Sequence, residues 1–436
     1  SIHFDVGAKG IRRGVHSVTC RLALTLQPAL RRARDGAAAG EAALPASVFV
    51  KQVAPSWQEK AALPGRGRAA GADAALLKDV ATYQVEVNWY DKFNEELRSR
   101  GVRLPRCYAV WSEGAAELGG LAALCAESPA AEAGGLSAAG QGLRTMSWAA
   151  DVCSNFVSIL EDLAEPAWVQ HHLLSEAQAQ ATLSMVADLH SATMGDDEIL
   201  EDARGALHEH GTYWAPMHRD RGELEQLETL WDSFVGEFRR LDEDLFSRPE
   251  VRALGSRLRE AQAEVDEGLR GSASRSMRGR TLLHGDLRAA NLFFAAGASG
   301  AGEVVPVNFR WAGLGLCAQD VAHLLISSAE LKVLASGKAL RRLIGNAYLK
   351  PLRRKVGSFA APSEAEFFRA FRLACLDYAK VVWGHHLAHK SPASLEADGH
   401  RIGLCAHSRS AEHAVGLVRF VLALLGGAEV PGFAAE

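Results

Sequence analysis

The residues best suited to chemistry form one short segment, HGDLRAAN at 284–291, which an apolar run from Leu292 to Phe294 follows. An aspartate in such a loop can orient a substrate hydroxyl group and accept its proton. An asparagine five residues later can offer a neutral oxygen to a metal ion that bridges phosphates. The pattern H-G-D-x-x-x-x-N therefore indicates phosphoryl transfer, with Asp286 and Asn291 as the participating groups.

A polar turn between a helix and a hairpin would explain this segment without any chemistry. Four matched positions should rarely coincide by chance in a chain of 436 residues, which favours the chemical interpretation. A second strand-like run, Val304 to Trp311, follows at the distance expected for a hairpin and contains Asn308. Asp320 then lies in the first turn of a predicted helix, where a purely structural cap is at least as plausible as a direct role.

Taken together, these segments resemble the catalytic core of the aminoglycoside phosphotransferase and choline kinase-like families, which include ecdysteroid kinase-like proteins. The resemblance implies that Asp286 is the catalytic base and that Asn291 is a metal ligand. It also implies a second metal ligand at Asn308, a position where the family has aspartate. Because magnesium gains from anionic oxygens, this exchange removes a full negative charge from the predicted Mg²⁺ site.

Two residues in the first half of the chain fit the same resemblance. It implies that Lys51, on the predicted strand 47–53, contacts the α- and β-phosphates of ATP. Glu86, on the helix that follows, would be its ion-pair partner. A lysine on a strand and a glutamate on a helix are individually commonplace, and their order relative to the 284–291 loop is what favours a functional interpretation.

The run LEDL at 160–163 resembles the strand between the lobes, where backbone groups of such kinases commonly meet adenine. The resemblance therefore implies that Glu161 and Leu163 lie beside the nucleotide. A plain edge strand explains the same run equally well, so both interpretations stay open.

Hydrophobic periodicity predicts where the elements lie. Alternating apolar residues at 16–26 and 47–53 predict strands, and apolar spacings of three and four predict a helix over 73–100. From Ser175 onward helices dominate, interrupted by strand-like segments near 281–294 and 304–309.

The segregation of strands and helices suggests an α+β chain, or two lobes of different character. The family resemblance implies that these are the two lobes of a protein-kinase-like fold. We expect a small β-rich N-lobe at 1–163 and a larger, mainly helical C-lobe at 164–436. The N-lobe would contain an Ala/Gly-rich, low-complexity insertion at about 113–145.

Composition argues against several other classes of protein. The net charge of −4 shows no excess of positive charge of the kind that binds nucleic acid. No uninterrupted apolar run approaches the length needed to span a membrane. The seven cysteines are odd in number and lack C-x-x-C spacing, which indicates neither a disulfide framework nor a zinc site. We therefore expect a cytoplasmic protein without nucleic-acid or membrane partners.

The sequence predicts an ATP-dependent phosphotransferase that acts on the hydroxyl group of a small-molecule alcohol, with ATP and Mg²⁺ as cofactors. The alternative is a catalytically impaired nucleotide-binding or scaffold protein that keeps the kinase fold, because Asn308 replaces the expected aspartate. The identity of the acceptor, the choice of ATP over GTP and the oligomeric state stay open.

Overall fold

The computed structural model describes most of the chain. The described residues are 2–5, 12–13, 17–26, 45, 47–53, 80–114, 153–219, 221–271, 277–297, 302–401 and 403–426. Most of the predicted insertion at 113–145 lies outside them. The predicted α+β division into a β-rich N-lobe and a helical C-lobe is confirmed.

The N-lobe is built on an antiparallel sheet with the strand order β1-β3-β4-β6-β5, in which β2 also pairs with β3. Its strands are β1 Ile2–Asp5, β2 Arg12–Arg13, β3 Ser17–Leu26, β4 Ser47–Val53, β5 Cys107–Gly114 and β6 Cys153–Glu161. Lys51 lies at the centre of this sheet, opposite Thr19 on β3 and Ser158 on β6. The central position fixes the backbone of the lysine from both sides.

One long helix, α1, accompanies the sheet and spans 80–99. Its middle turn, Trp89–Phe93, is a wider π-helical turn, and its last segment is Asn94–Ser99. The helix predicted over 73–100 therefore agrees with the described part, while 73–79 lie outside it. Its buried stripe includes Tyr83 and Tyr90.

The C-lobe contains two small antiparallel sheets, with the orders β10-β9-β7 and β11-β8. Their strands are β7 Trp168–Val169, β8 Arg280–Leu283, β9 Leu292–Ala295, β10 Val304–Pro306 and β11 Gly313–Leu316. A β-carbon on Gly313, in β11, would meet the carbonyl oxygen of His208 at 2.3 Å, so glycine at this position allows the segment around His208 to approach the strand closely.

Helices make up the rest of the C-lobe. They are α2 Glu176–Ser191, α3 Asp197–Ala206, α4 Arg221–Glu225, α5 Leu227–Phe238, α6 Glu243–Ser247, α7 Pro249–Arg252, α8 Leu254–Glu260, α9 Gln262–Arg270, α10 Ala318–Ser328, α11 Leu331–Leu334, α12 Gly337–Ile344, α13 Lys350–Ala360, α14 Glu364–Val381, α15 Pro392–Asp398 and α16 Ala411–Leu425. Hydrophobic spacing predicts single helices over 221–244 and 249–270, but the structure has short pieces there. Hydrophobic periodicity does not detect breaks between short helices, because successive pieces keep burying the same face.

Helix α1 packs against the C-lobe as well as against its own sheet. One buried apolar cluster joins Trp89 and Leu97 of α1 to Ile199 on α3 and to Phe309. The ring centroids of Trp89 and Phe309 are 4.2 Å apart in a stacked arrangement. Polar contacts add to this interface, since Asn88 Nδ2 donates to the carbonyl oxygen of Ala206 at 2.7 Å.

The C-terminal end of α1 is held as well. The guanidinium of Arg100 forms an ion pair of 2.7 Å with Asp196, and it also donates to the carbonyl oxygen of Ala192 at 2.6 Å. No helix in the described ranges combines the length and hydropathy needed to cross a membrane.

We expect Phe309→Ala to lower the free energy of unfolding by about 3–5 kcal/mol, because it leaves a cavity beside Trp89 in this shared cluster. Phe359→Ala is the matched control, because that ring is 94% exposed and should contribute little. Urea denaturation followed by tryptophan fluorescence measures both changes. Equal losses for the two variants would contradict the packing described here.

Candidate active site

The HGDLRAAN loop joins β8 to β9, and side chains of helix α10 hold it through hydrogen bonds. Asp320, in the first turn of α10, accepts hydrogen bonds from the backbone N–H of His284 at 2.7 Å and of Gly285 at 3.0 Å. At the far end of the helix, Ser328 Oγ accepts from the N–H of Ala289 at 2.8 Å. One helix therefore fixes the loop at both ends.

Asp320 is completely buried and makes a third polar contact, with His190 Nε2 at 3.2 Å. Burial alone would raise the pKa of this carboxyl group, but the hydrogen bond and charge of His190, together with the loop N–H, hold it below its ordinary value. His190 is in turn within 2.7 Å of the Tyr348 hydroxyl. Asp320 thus binds the backbone of the catalytic loop and is more than the helix cap considered from the sequence.

Gly285 adopts a left-handed backbone conformation with φ of +78°. A β-carbon at this position would lie 1.9 Å from the carbonyl oxygen of Trp311. Only glycine fits, since both the backbone angle and the close approach exclude a side chain. The second position of the motif is therefore required by the packing of two backbone segments.

His284 is buried and is held in a single tautomer by two contacts. Its Nδ1 accepts from the N–H of Asp286 at 3.2 Å, and its Nε2 lies 2.9 Å from the carbonyl oxygen of Val307, to which it donates. Burial lowers the pKa of the imidazole although nearby carboxylates oppose the shift, so the ring is neutral. It connects the loop to the segment that contains Asn308.

The carboxylate of Asp286 has two differently used oxygens. Oδ2 accepts from Asn291 Nδ2 at 2.9 Å. Oδ1 lies 3.1 Å from Arg288 Nε, but the geometry leaves this buried oxygen without a hydrogen bond among the described residues. One oxygen is therefore used for positioning, and the other is open to a donor.

Arg288, in the middle of the loop, is a further charged residue of the site. It was not singled out from the sequence. Its Nη1 donates to the carbonyl oxygen of Gly403 at 2.5 Å, so it also ties the loop to the C-terminal segment. The charge of Asp286 raises the pKa of this guanidinium further above its already high value.

The structure brings together Asn291 and Asn308, the two predicted metal ligands. Asn308 Nδ2 donates to Asn291 Oδ1 at 3.2 Å, and Asn308 adopts a left-handed φ of +70° that asparagine tolerates better than most residues. Both side chains offer only neutral oxygens, and one of these already accepts a hydrogen bond. No group of three or more His, Cys, Asp or Glu side chains in the described ranges could hold a metal ion. This donor set does not fit a Mg²⁺ ion held by the protein itself.

Lys51 and Glu86 meet as an ion pair, with Nζ and Oε2 2.5 Å apart. Burial lowers the pKa of Lys51, and the adjacent Glu86 carboxylate opposes that shift. Glu86 is 4% exposed, so the pair is formed in a largely dry environment. The order of these residues in the chain predicts such a pair.

The Lys51–Glu86 pair lies close to the loop that carries Asn308. Arg310, two residues after Asn308, donates to Thr82 Oγ1 from Nε at 3.0 Å and from Nη2 at 2.7 Å. Thr82 precedes Glu86 by one turn of α1, and Phe309 stacks on Trp89 of the same helix. The segment that contains Asn308 therefore packs against the helix that carries Glu86.

The side chains at the end of β6 are used in structural contacts. Glu161 forms a bidentate ion pair with Arg103, with Oε1 2.6 Å from Nη2 and Oε2 2.9 Å from Nη1. Burial alone would raise the pKa of the glutamate, but its contacts with Arg103 and with the backbone N–H of Arg106 lower it. Arg103 also reaches Glu303 in the C-lobe hairpin at 2.8 Å. The carbonyl oxygen of Leu163 accepts from Arg21 at 3.3 Å. The Glu161 carboxylate is therefore committed to Arg103.

Comparison with protein families gives a match in the same region. Residues 147–355 match the model of the ecdysteroid kinase-like family. The family resemblance predicted from the sequence is confirmed. The matched segment includes the HGDLRAAN loop, Asn308 and Asp320. None of the curated proteins matches the sequence significantly.

Several solved structures are similar in shape at low identity. Amicoumacin kinase hAmiN in complex with AMP-PNP, Ca²⁺ and Ami is 12% identical, with a TM-score of 0.44 and coverage of 98% of this chain and 90% of that chain. The microcompartment-associated aminopropanol kinase is 14% identical, with a TM-score of 0.43 and coverage of 100% and 94%. Choline kinase LicA from Streptococcus pneumoniae is 10% identical, with a TM-score of 0.37 and coverage of 96% and 94%.

We expect Asp320→Asn to lower the free energy of unfolding by about 3–5 kcal/mol near neutral pH, since it removes a buried charge from its hydrogen-bond partners. The pKa of Asp320 is depressed in the folded chain, so its contribution is present above the unfolded value and is lost as the pH falls through the folded value. The difference between wild type and variant should therefore shrink on acidification. Denaturation at several pH values measures it.

Asp232→Asn is the control for this experiment, because Asp232 is exposed on α5. It should change stability by less than about 0.5 kcal/mol at every pH. A loss in Asp320→Asn that stays constant down to acidic pH would contradict the ionised state of this carboxylate.

Proposed function

We propose that this chain is an ATP-dependent phosphotransferase that transfers the γ-phosphoryl group to the hydroxyl of a small-molecule alcohol. The observation that carries the proposal is the asymmetric carboxylate of Asp286, in which Asn291 holds Oδ2 while Oδ1 lacks a hydrogen bond. A fixed carboxylate with one open oxygen is what a hydroxyl nucleophile needs. The family match over 147–355 supports the same reaction class.

In the proposed reaction, Asp286 Oδ1 accepts the proton of the acceptor hydroxyl. The hydroxyl oxygen forms a bond to the γ-phosphorus while the bond from that phosphorus to the bridging oxygen of ADP breaks. The products are the phosphate ester and ADP, and the proton on Asp286 is released to solvent. Most of the acceleration in such transfers comes from positioning and charge stabilisation, and the base adds a smaller share.

Arg288 is a positioning residue in this proposal. Its Nε lies 3.1 Å from Asp286 Oδ1 and would hold the carboxylate in place before the acceptor arrives. Its second contact, to the carbonyl oxygen of Gly403, supports a fixed orientation of the guanidinium.

On the nucleotide side, we propose that Lys51 contacts the α- and β-phosphates and that Glu86 orients it through their ion pair. The backbone of Glu161 and Leu163 would border the adenine, since the Glu161 carboxylate is already paired with Arg103. The boundary between the lobes would then lie near residue 163. Magnesium would enter this cleft as the counter-ion of ATP, because the chain's own donor set does not fit it.

The proposed acceptor site lies on the side of Asp286 that faces the C-terminal helices. Tyr213 Oη is 3.0 Å from His386 Nε2 and 3.2 Å from Tyr378 Oη. Burial is the main cause of a raised pKa for Tyr213, and the charges of Cys405 and Asp286 add to it. Hydroxyl and imidazole groups of this kind can hydrogen-bond a polar alcohol beside the base.

The four described free cysteines, Cys107, Cys317, Cys375 and Cys405, support the proposal that the chain works in the reducing cytoplasm. Burial raises the pKa of the Cys317 thiol to about 12, so this thiol stays protonated and unreactive.

We expect Asp286→Ala to lower the rate of phosphoryl transfer by at least about 100-fold, because the variant has no group to accept the hydroxyl proton. Asp286→Asn tests the same loss with less disturbance of Asn291 and Arg288. Binding of a non-hydrolysable ATP analogue should stay within about threefold of wild type in both variants. Coupled measurement of ADP release with a panel of alcohols gives the rates.

Asp202→Ala is the control, since Asp202 is exposed on α3. Full activity in both Asp286 variants would contradict the proposal that Asp286 is the catalytic base. A folded wild type that binds nucleotide yet transfers nothing to any alcohol would favour the scaffold alternative, which rests on Asn308.

A further inference from the structure

Four polar side chains of the C-lobe form one continuous chain of hydrogen bonds. Tyr213 Oη is 3.0 Å from His386 Nε2 and 3.2 Å from Tyr378 Oη. Tyr378 Oη is in turn 3.1 Å from His407 Nε2. His386 is the last residue of a π-helical turn, Val382–His386, that follows α14. We call these four residues the Tyr–His chain.

The Tyr–His chain lies against the HGDLRAAN loop. The backbone N–H of Tyr213 donates to the carbonyl oxygen of Gly285, the residue before the proposed base, at 3.2 Å. Further along the chain, Cys405 Sγ lies 3.6 Å from Tyr378 Oη and 3.9 Å from Arg288 Nη1. The Tyr–His chain is therefore connected to the loop at two points, in the region where the acceptor site is proposed.

The direction of these hydrogen bonds determines the tautomer of His386. A tyrosine hydroxyl has one proton, and Tyr213 Oη donates its proton to Tyr378 Oη. Tyr213 Oη can therefore only accept from His386, so the hydrogen of this imidazole is on Nε2. Burial is the main cause of a pKa well below the ordinary value for His386, so the ring is neutral and has no second hydrogen. Nδ1 of His386 is then a hydrogen-bond acceptor.

This accepting nitrogen is open to a ligand. His386 is partly exposed, and its one side-chain hydrogen bond within the described ranges uses Nε2. A neutral imidazole nitrogen without a hydrogen can bind a hydroxyl or an amino group, whereas it cannot bind a group that only accepts. The Tyr–His chain therefore presents one acceptor of defined chemistry beside the loop.

We infer that His386 Nδ1 accepts a hydrogen bond from a second hydroxyl or amino group of the acceptor molecule. The inference rests on the proposed function, because it takes the acceptor alcohol as the ligand. His386 then selects acceptors with two hydrogen-bond donors over alcohols with only one, since a single alcohol leaves Nδ1 unpaired when it displaces water. Tyr213 is a positioning residue here, because it holds the Nε2–H tautomer and the orientation of the ring.

The test is a double-mutant cycle between the full chain and its substrate. The panel of alcohols identifies the acceptor with the highest kcat/KM, and analogues of it each lack one of its other hydroxyl or amino groups. For wild type, one of these deletions should lower kcat/KM by about 10- to 100-fold, the loss typical of one missing hydrogen bond. An analogue with an amino group in place of that hydroxyl, or the reverse, distinguishes the two donors.

His386→Phe completes the cycle. It should lose about as much with the complete acceptor as wild type loses on the deletion, and the deletion should then lower its kcat/KM by less than about threefold further. Nitrogen-15 NMR of histidine-labelled protein gives a readout that does not depend on turnover. It should show the Nε2–H tautomer of His386 in wild type, and this preference should weaken in Tyr213→Phe, which lacks the accepting oxygen.

His385→Phe is the matched control, since it makes the same substitution at the neighbouring, exposed imidazole. It should change kcat/KM by less than about threefold for every analogue, and circular dichroism verifies that each variant is folded. A best acceptor with one hydroxyl and no amino group would overturn this inference and leave the proposed function intact. Equal deletion losses in wild type and His386→Phe, or an Nδ1–H tautomer in wild type, would do the same. Nucleotide binding without transfer to any alcohol would overturn the proposed function as well.

Discussion

The candidate site depends on one buried anion, the carboxylate of Asp320. An isolated carboxylate in a protein interior is costly, and it is stable here because two backbone N–H groups and His190 share its oxygens. Those two N–H groups belong to the first residues of the HGDLRAAN loop. The same electrostatic requirement therefore fixes the loop on which Asp286 and Asn291 lie.

The other charges of the cleft follow the same rule, in which each buried charge has a nearby partner. Asp286 faces Arg288, and Lys51 faces Glu86. Asn291 and Asn308, the two predicted metal ligands, are neutral amides. The cleft thus has a fixed pattern of charge, with cations towards the proposed nucleotide and an open carboxylate oxygen towards the proposed acceptor.

Short-range patterns were sufficient to predict the loop, and the family resemblance that the loop carries implied the two-lobed fold. The H-G-D-x-x-x-x-N spacing identifies Asp286 and Asn291, and alternation of apolar residues identifies the strand that carries Lys51. The contact between Asp320 and the loop backbone joins residues 35 and 36 positions apart, and no local periodicity encodes such a distance. The contact of Arg310 with Thr82 spans 228 positions, so only the folded chain reveals it. The unusual residue types at 308 and 310 were the available signal.

The packing of helix α1 has a consequence for control of the protein. Its stacked ring contact with Phe309, its bond to Ala206 and its terminal ion pair with Asp196 join it to the C-lobe along its length. Kinases that switch by displacing the corresponding helix separate their lysine from its glutamate in the resting state. Here such a displacement would have to open an apolar interface and uncover buried polar groups. We therefore expect the Lys51–Glu86 pair to stay formed without a separate activation step. The rate of the proposed reaction would then depend on the concentrations of the nucleotide and the acceptor.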